Sequence, residues 1–299
     1  MAQITAALVK QLRDMTGAGM MDAKKALEEN SGDIEAASDW LRKKGIAKAA
    51  KKSSRAASEG LVAVAIDGTK GVAIELNSET DFVARNEEFQ AFVKKVAETA
   101  LGVSSLEELK AAEFGGGKTV EESLTDLIAK IGENMTLRRF QSVSVPKGTI
   151  FSYTHGELAP NLGKIGVLVA LETEAGAEEL QEVGKQIAMH VAAANPECLD
   201  QSSVDPEKLQ REKDILSEQA RGSGKSEEII AKMVEGRIRK YFEEVCLLDQ
   251  IFVVDQERKI AKVIEDAGKK TGKGVKITGF IRLQLGEGVD QAAEENLAA

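Results

Sequence analysis

The chain has 299 residues, enough for about two domains and for a core that needs no disulfide or structural metal. Its 49 acidic against 40 basic side chains give a formal net charge of −9, with 42% apolar, 30% charged and only 4% aromatic residues. The acidic balance speaks against a dedicated nucleic-acid binder, and two cysteines cannot build a disulfide framework. No apolar run approaches the ~20 residues of a membrane span, and the opening MAQITAALVKQLRD lacks a signal-peptide layout, so a cytoplasmic protein is expected.

Residues 1–45 read as three short helices. Ile4, Leu8 and Leu12 stand one turn apart on the first, Thr16-Gly17-Ala18-Gly19 breaks it, and Met21 to Leu27 restarts a helix. After Asn30-Ser31-Gly32, Asp33 is the expected N-cap of a third helix with Ile34, Ala37 and Leu41 inward. A module this small has a thin core and suits docking. The run RKKGIAKAAKKSSRAASEG over 42–60 reads either as a nucleic-acid patch or as a solvated helix end and linker. No aromatic residue interrupts it to stack on bases, which favours the linker.

The period then changes from helical to strand. Leu61 to Ile66, the turn Asp67-Gly68 and Gly71 to Leu76 predict a hairpin, followed by a helix with Phe89, Phe92, Val93 and Val96 on one face. About ninety residues on, Gly166 to Leu171 resembles the return strand, and Leu180, Val183 and Ile187 repeat the helix offsets. Two copies of one β–β–α unit are expected. The interval from Leu76 to Phe89 is four positions longer than that from Leu171 to Leu180. The first copy therefore carries a longer loop, Asn77 to Asn86, holding one Phe-Val pair. Phe82 in such a loop is either tucked under it as a plug or offered to a partner; both readings stay open on spacing alone.

Between the copies, Leu124, Leu127, Ile128 and Ile131 make a helical stripe and Arg138 to Val145 a strand. Residues 206–247 return to helix, with Arg221-Gly222-Ser223-Gly224 as the break between two antiparallel arms. Val275 to Leu285 alternates as a late strand, and Glu287–Ala299 is an acidic tail expected to fray.

Enzymatic chemistry is disfavoured. Gly115-Gly116-Gly117-Lys118-Thr119 and Gly222-Ser223-Gly224-Lys225-Ser226 end like a phosphate-binding loop, but Ala112 and Gln219 stand where its first glycine belongs, and both loops follow charged helical sequence. Both read as helix-to-helix turns. His190, between Met189 and Val191, reads as a packed helix residue, and His155 after Phe151-Ser152-Tyr153-Thr154 as a surface contact. Cys198 matches no zinc spacing with His190. No nucleophile elbow, cofactor motif or metal site is expected.

Several motifs resemble bacterial elongation factor Ts: Thr16 to Leu27 (TGAGMMDAKKAL), Thr80-Asp81-Phe82-Val83, Lys130 to Asn134 (KIGEN), Ile187 to Ala193 (IAMHVAA) and Thr278 to Arg282 (TGFIR). They fall in the family's order and span nearly the whole chain. The resemblance implies a guanine-nucleotide exchange factor for elongation factor Tu. It also implies an α+β fold with a ubiquitin-associated-like N-terminal module, a two-part core and a protruding antiparallel coiled coil. The expected division is 1–55 for module and basic linker, 56–150 for the core's N-terminal half, and 151–205 with 248–286 for its C-terminal half. The hairpin then takes 206–247 and the tail 287–299.

By the same resemblance Thr80, Asp81, Phe82 and Val83 form an intruding loop that displaces magnesium from the partner, which favours the partner-facing reading of Phe82. Ile131 and Gly132 support that loop, Met20, Met21 and Lys24 belong to an N-terminal contact, His155 lies beside the partner, and Val253 with Val254 make another contact. No membrane and no direct nucleic-acid binding are implied. Three departures stand out: Ala23 where a Cys is frequent, Ile251 in place of Pro before Phe252-Val253, and a short tail after Gly288. The competing class is a non-catalytic adaptor in which the helical module docks and the core is scaffold.

Overall fold

The computed structural model describes residues 4–16, 18–222 and 226–289. Gly17 of the first expected break, the hairpin turn at 223–225 and the tail from 290 lie outside the described residues. In chain order come α1 (Ala6–Thr16), α2 (Met20–Glu29) and α3 (Ile34–Ala50), then the hairpin β1 (Glu59–Asp67) and β2 (Lys70–Ser78). The single turn α4 (Asp81–Ala84) precedes α5 (Glu87–Ala100) and α6 (Leu106–Ala111). A ribbon of β3 (Glu113–Gly115) and β4 (Lys118–Thr119) leads into α7 (Val120–Ile131) and β5 (Met135–Ser144). The later elements are β6 (Gly148–His155), β7 (Leu162–Gly163), β8 (Ile165–Thr173), α8 (Ala177–Ala194), α9 (Pro206–Arg221), α10 (Glu227–Val245), α11 (Ile260–Thr271) and β9 (Val275–Gln284). The fold is α+β.

Two compact units divide the chain. One takes the described residues to Ala63, Ile74–Phe140 and those from Gln284 on; the other takes Val64–Ala73 and Gln141–Leu283. The strand orders are β5-β2-β1-β7 and β6-β8-β9. In β5-β2-β1 and in β9-β8-β6 the third strand lies beside the second of the pair, so the two copies share one topology.

In the first unit, Leu12, Ala23, Ala26, Leu27 and Ala37 form the core of the three-helix module, with Ile4, Leu8, Ile34, Trp40 and Leu41 packed against it. Asp33 caps α3 by accepting the Ala36 amide at 2.9 Å. Ala23 is fully buried, so the position favours a small side chain irrespective of a thiol. The helix end takes up more of the basic run than its composition suggested. Lys and Ala are strong helix formers, and α3 continues to Ala50. Lys44 and Lys48 then reach Asp22 at 2.8 and 3.2 Å, and these ammonium groups, Lys44 foremost, hold the Asp22 carboxyl below its ordinary range. Arg42 pairs with Glu122.

The Gly115–Thr119 loop corrects an expectation. It is not a plain turn between helices but the connection of the β3-β4 ribbon, with Gly115, Gly116 and Gly117 all at positive φ. Lys118 is paired with Asp126, and Thr119 forms a capping box with Glu122 at the start of α7. Both polar side chains of the motif are thus committed to the fold.

In the second unit β6 and β8 are antiparallel from Gly148 opposite Glu172 to His155 opposite Ile165. Phe151, Val169, Leu171, Leu180, Ile187, Phe252, Ile264 and Ile277 share its core. α8 closes on β6 at Gly184, where a Cβ would stand 2.2 Å from the Phe151 ring; only glycine admits that approach without moving a buried aromatic. α9 and α10 pack along each other, with Leu216, Ala220, Ile230 and Ile238 buried on them. At the base of this hairpin the Cys198 and Cys246 sulfurs lie 3.5 Å apart. Burial pushes the Cys246 thiol up to about 12, keeping it protonated.

Candidate functional site

The strand-to-helix connection of the first copy is built from its two ends. Asn86 caps α5 by accepting the amides of Glu88 and Phe89 at 2.9 and 3.0 Å. At the other end the buried Ser78 donates its hydroxyl to the Thr80 carbonyl at 3.0 Å. Between them the extra residues of this copy wind into α4, a four-residue turn. Arg85 and Asn86 amides donate to the carbonyls of Phe82 and Val83, closing it, and Gln90 donates to the Ala84 carbonyl at 2.9 Å.

Val83 and Ala84 are each 4% exposed and anchor the turn, whereas Phe82 is 78% exposed. Helical geometry forces this split, because adjacent residues on one turn face directions about 100° apart. The Phe82 ring stands in solvent while Val83 and Ala84 are buried. Asp81 is also exposed, with Arg85 at 3.9 Å.

Gly132 ends α7 in the left-handed region at φ 93°, a conformation that costs a residue with a Cβ, and its amide donates to Ile128 at 2.9 Å. The turn it makes presents Glu133 to the loop. Thr80 donates its amide to Glu133 Oε2 at 3.0 Å and its hydroxyl to Oε1 at 2.7 Å. In return the Asn134 amide donates to Glu79, and the Asn134 side chain donates to the Arg55 carbonyl at 2.8 Å. Lys52 donates to the Gly132 carbonyl. Ile131 and Gly132 are half-buried, and it is Glu133 that touches Thr80. Glu133 carried no role in the sequence reading. Its only signal was its place just after a helix-ending glycine within the KIGEN motif.

Met20, Met21 and Lys24 share α2. Met20 and Met21 are among the most exposed apolar side chains described, at 61% and 77%, and Lys24 is exposed with Glu28 at 3.8 Å.

In the second unit His155 ends β6, exposed, with the Tyr153 hydroxyl 3.2 Å from its Nδ1. Val253 and Val254 lie in a turn closed by the Phe252 amide on the Arg258 carbonyl at 2.8 Å. Asp255 caps this turn by accepting the Glu257 and Arg258 amides, which hold its carboxyl below the ordinary range. Phe252 is buried, while Ile251, Val253 and Val254 are exposed. Sequence reading placed His190 as a packed helix residue, and it is fully buried, but it also braces this turn. Its Nε2 lies 2.9 Å from Gln250 Oε1, and the Val253 amide donates to its Nδ1 at 3.2 Å. These partners require a neutral ring with the proton on Nε2.

Burial depresses the His190 pKa below its ordinary 6.5, the bond to Gln250 opposing this in part. The unfolded state therefore binds a proton first. Stability contributed by neutral His190 is complete above pH 6.5 and is lost as pH falls through the depressed native value. The melting temperature is expected to drop as pH falls below 6.5, and His190→Gln, having nothing to titrate there, should flatten that slope. Thermal melts across this range check it.

Exposed apolar side chains thus stand on braced turns at Phe82 in one unit and at Val253 and Val254 in the other, and the chain's relatives define the class of protein. The family described as Elongation factor TS matches residues 79–287, more than half of the chain. Elongation factor Ts of Rhodospirillum centenum is 62% identical over 99% of this chain and 97% of its own length. Those of Paramagnetospirillum magneticum and Rhodospirillum rubrum are 60% and 58% identical, over 99% and 100% of this chain and 95% and 97% of their own lengths. This is a protein of translation elongation. The chain belongs to the elongation factor Ts family.

Proposed function

We propose that this chain is the guanine-nucleotide exchange factor of elongation factor Tu and speeds GDP release by wedging Thr80, Asp81, Phe82 and Val83 beside the partner's phosphate and magnesium site. Family membership supports the role. The wedge rests on one observation, that Phe82 is 78% exposed on a turn whose next two residues are buried. A plug would have been covered by its own loop.

An exchange factor has to bind the nucleotide-free partner better than the nucleotide-bound one, since only differential affinity moves an equilibrium. The coupling is reciprocal, so nucleotide weakens the factor's grip by the same factor. Phe82 supplies the difference by occupying space between helices that brace the partner's phosphates and magnesium. Asp81 brings a negative charge that competes for the magnesium shell. No bond is made or broken, so the chain needs no catalytic residue, cofactor or metal of its own.

Met20, Met21 and Lys24 form a separate contact that gives affinity and orientation, Ile131 and Gly132 back the wedge, and His155, Val253 and Val254 extend the interface. The internal pairing of Arg42, Lys44 and Lys48 supports a protein partner over a nucleic acid. An adaptor would use the same docking residues but has no need of Phe82. Release of fluorescent GDP from purified elongation factor Tu separates the two. Substoichiometric chain should accelerate release over many turnovers; binding without acceleration would leave the adaptor.

A further inference from the structure

We propose that Glu133 is a positioning residue for exchange: its carboxylate clamps Thr80 and so holds the Phe82 turn in its working orientation before the partner arrives. This rests on the reading of Phe82 as the wedge.

α4 is too short to hold itself. A four-residue turn makes almost no helical hydrogen bonds, and an isolated turn of that length is unstable in water. Thr80 stands at its N-cap position, yet its side chain makes no capping bond to the turn. Both of its donors are spent instead on one carboxylate, at 3.0 Å from the amide and 2.7 Å from the hydroxyl, and its carbonyl is held by Ser78 at 3.0 Å. Every polar group of the residue preceding the turn is thereby fixed. The clamp is also reciprocal. Glu133 takes the Thr80 amide while Glu79 takes the Asn134 amide, so the two neighbouring pairs lock each other. Arg55, 3.5 Å from Glu79, and Lys52 on the Gly132 carbonyl tie the same turn to the segment after α3.

The functional consequence is pre-organisation. A wedge that must be ordered on docking loses part of its binding free energy to that ordering, whereas a clamped one does not. Charge-assisted bonds of this kind justify an effect of roughly tenfold. Glu133→Ala should lower kcat/KM for stimulated GDP release roughly tenfold, and Glu133→Gln, which keeps one acceptor, should recover most of it. Thr80→Val, which removes the hydroxyl donor to Glu133, should lower exchange in the same direction and less.

A double-mutant cycle separates positioning from general damage. Added to Phe82→Ala, the Glu133→Ala change should alter exchange less than about twofold, because there is no wedge left to position. Hydrogen exchange at the Thr80 amide in the free chain should rise in Glu133→Ala, with or without Phe82→Ala, and stay unchanged in Phe82→Ala alone. An undiminished rate in Glu133→Ala beside a defective Phe82→Ala overturns the clamp and leaves the wedge standing. A Glu133→Ala loss of equal size with and without Phe82 also overturns it. A fully active Phe82→Ala overturns the wedge, and the clamp with it.

Discussion

Phe82→Ala is expected to leave the melting temperature nearly unchanged while weakening the complex with elongation factor Tu by roughly 30- to 1,000-fold, or ~2–4 kcal/mol. The first half follows from exposure. A ring that is 78% exposed contributes little apolar burial to the free chain, so its removal should stay within about 0.5 kcal/mol. The second half follows from desolvation, since a rigidly held aromatic entering a pocket concentrates binding energy in one side chain. Asp81→Ala should act in the same direction and less, because its exposed carboxylate gives back in desolvation part of what it gains. Phe92→Ala is the control. Phe92 is buried on α5 with the Phe114 ring 4.9 Å away, and its loss should cost the fold ~3–5 kcal/mol. Calorimetry and GDP-release kinetics on the three variants check the contrast; a Phe82→Ala chain that melts early would make the ring a plug.

Glu75→Ala is expected to produce the largest stability loss of a polar substitution in the first unit, about 3 kcal/mol. Glu75 is fully buried on β2, and its carboxylate accepts the Asn77 side chain at 2.9 Å, the Gly286 amide at 2.8 Å, Arg138 at 3.3 Å and Arg139. The two guanidinium groups also hold residues 284–287, Arg138 through the Glu287 carbonyl at 2.7 Å and Arg139 through the Gln284 carbonyl and the Glu287 carboxylate. Removing the carboxylate leaves two partly buried cations facing each other without their shared anion. Breaking a buried pair costs far more than forming it gains, because the abandoned charge stays desolvated. Alongside the lower melting temperature, hydrogen exchange at the Gly286 amide should accelerate in Glu75→Ala and less in Glu75→Gln, which keeps a carbonyl acceptor. An unchanged exchange rate would place the hold on residues 284–287 elsewhere.

The sequence made the strands and the long helices readable for a simple reason. Apolar residues at period two and at three-to-four spacing report burial directly, so β1, β2, α5 and α7 lie where Leu61 to Leu76, Phe89 to Val96 and Leu124 to Ile131 put them. Asp33 was readable as a cap because its role is local. What remained hidden depends on long-range polar pairs. The bonds from Thr80 to Glu133 span 53 positions, and Glu75 reaches Gly286 across 211. No periodicity marks such partners. The basic run over 42–60 was ambiguous for the same reason, since Lys44 and Lys48 find Asp22 only once α2 and α3 pack. At the Gly115–Thr119 loop the glycines signalled a turn, but too few flanking residues were left to announce a two-stranded ribbon.

The shared strand order of the two copies carries a consequence for engineering. In each, further elements intervene between the sheet-packed helix and the third strand: α6, the β3-β4 ribbon and α7 before β5 in one, the hairpin α9 and α10 and then the core-packed α11 before β9 in the other. The same seam thus admits a β-ribbon with two helices or a long helical hairpin, while the strand order around it stays the same. A seam that has accepted two unrelated inserts is a natural graft point. Foreign helices of matched span, spliced between Asp205 and Val245, should be carried by a sheet that still forms, giving a scaffold on which the hairpin is exchangeable cargo.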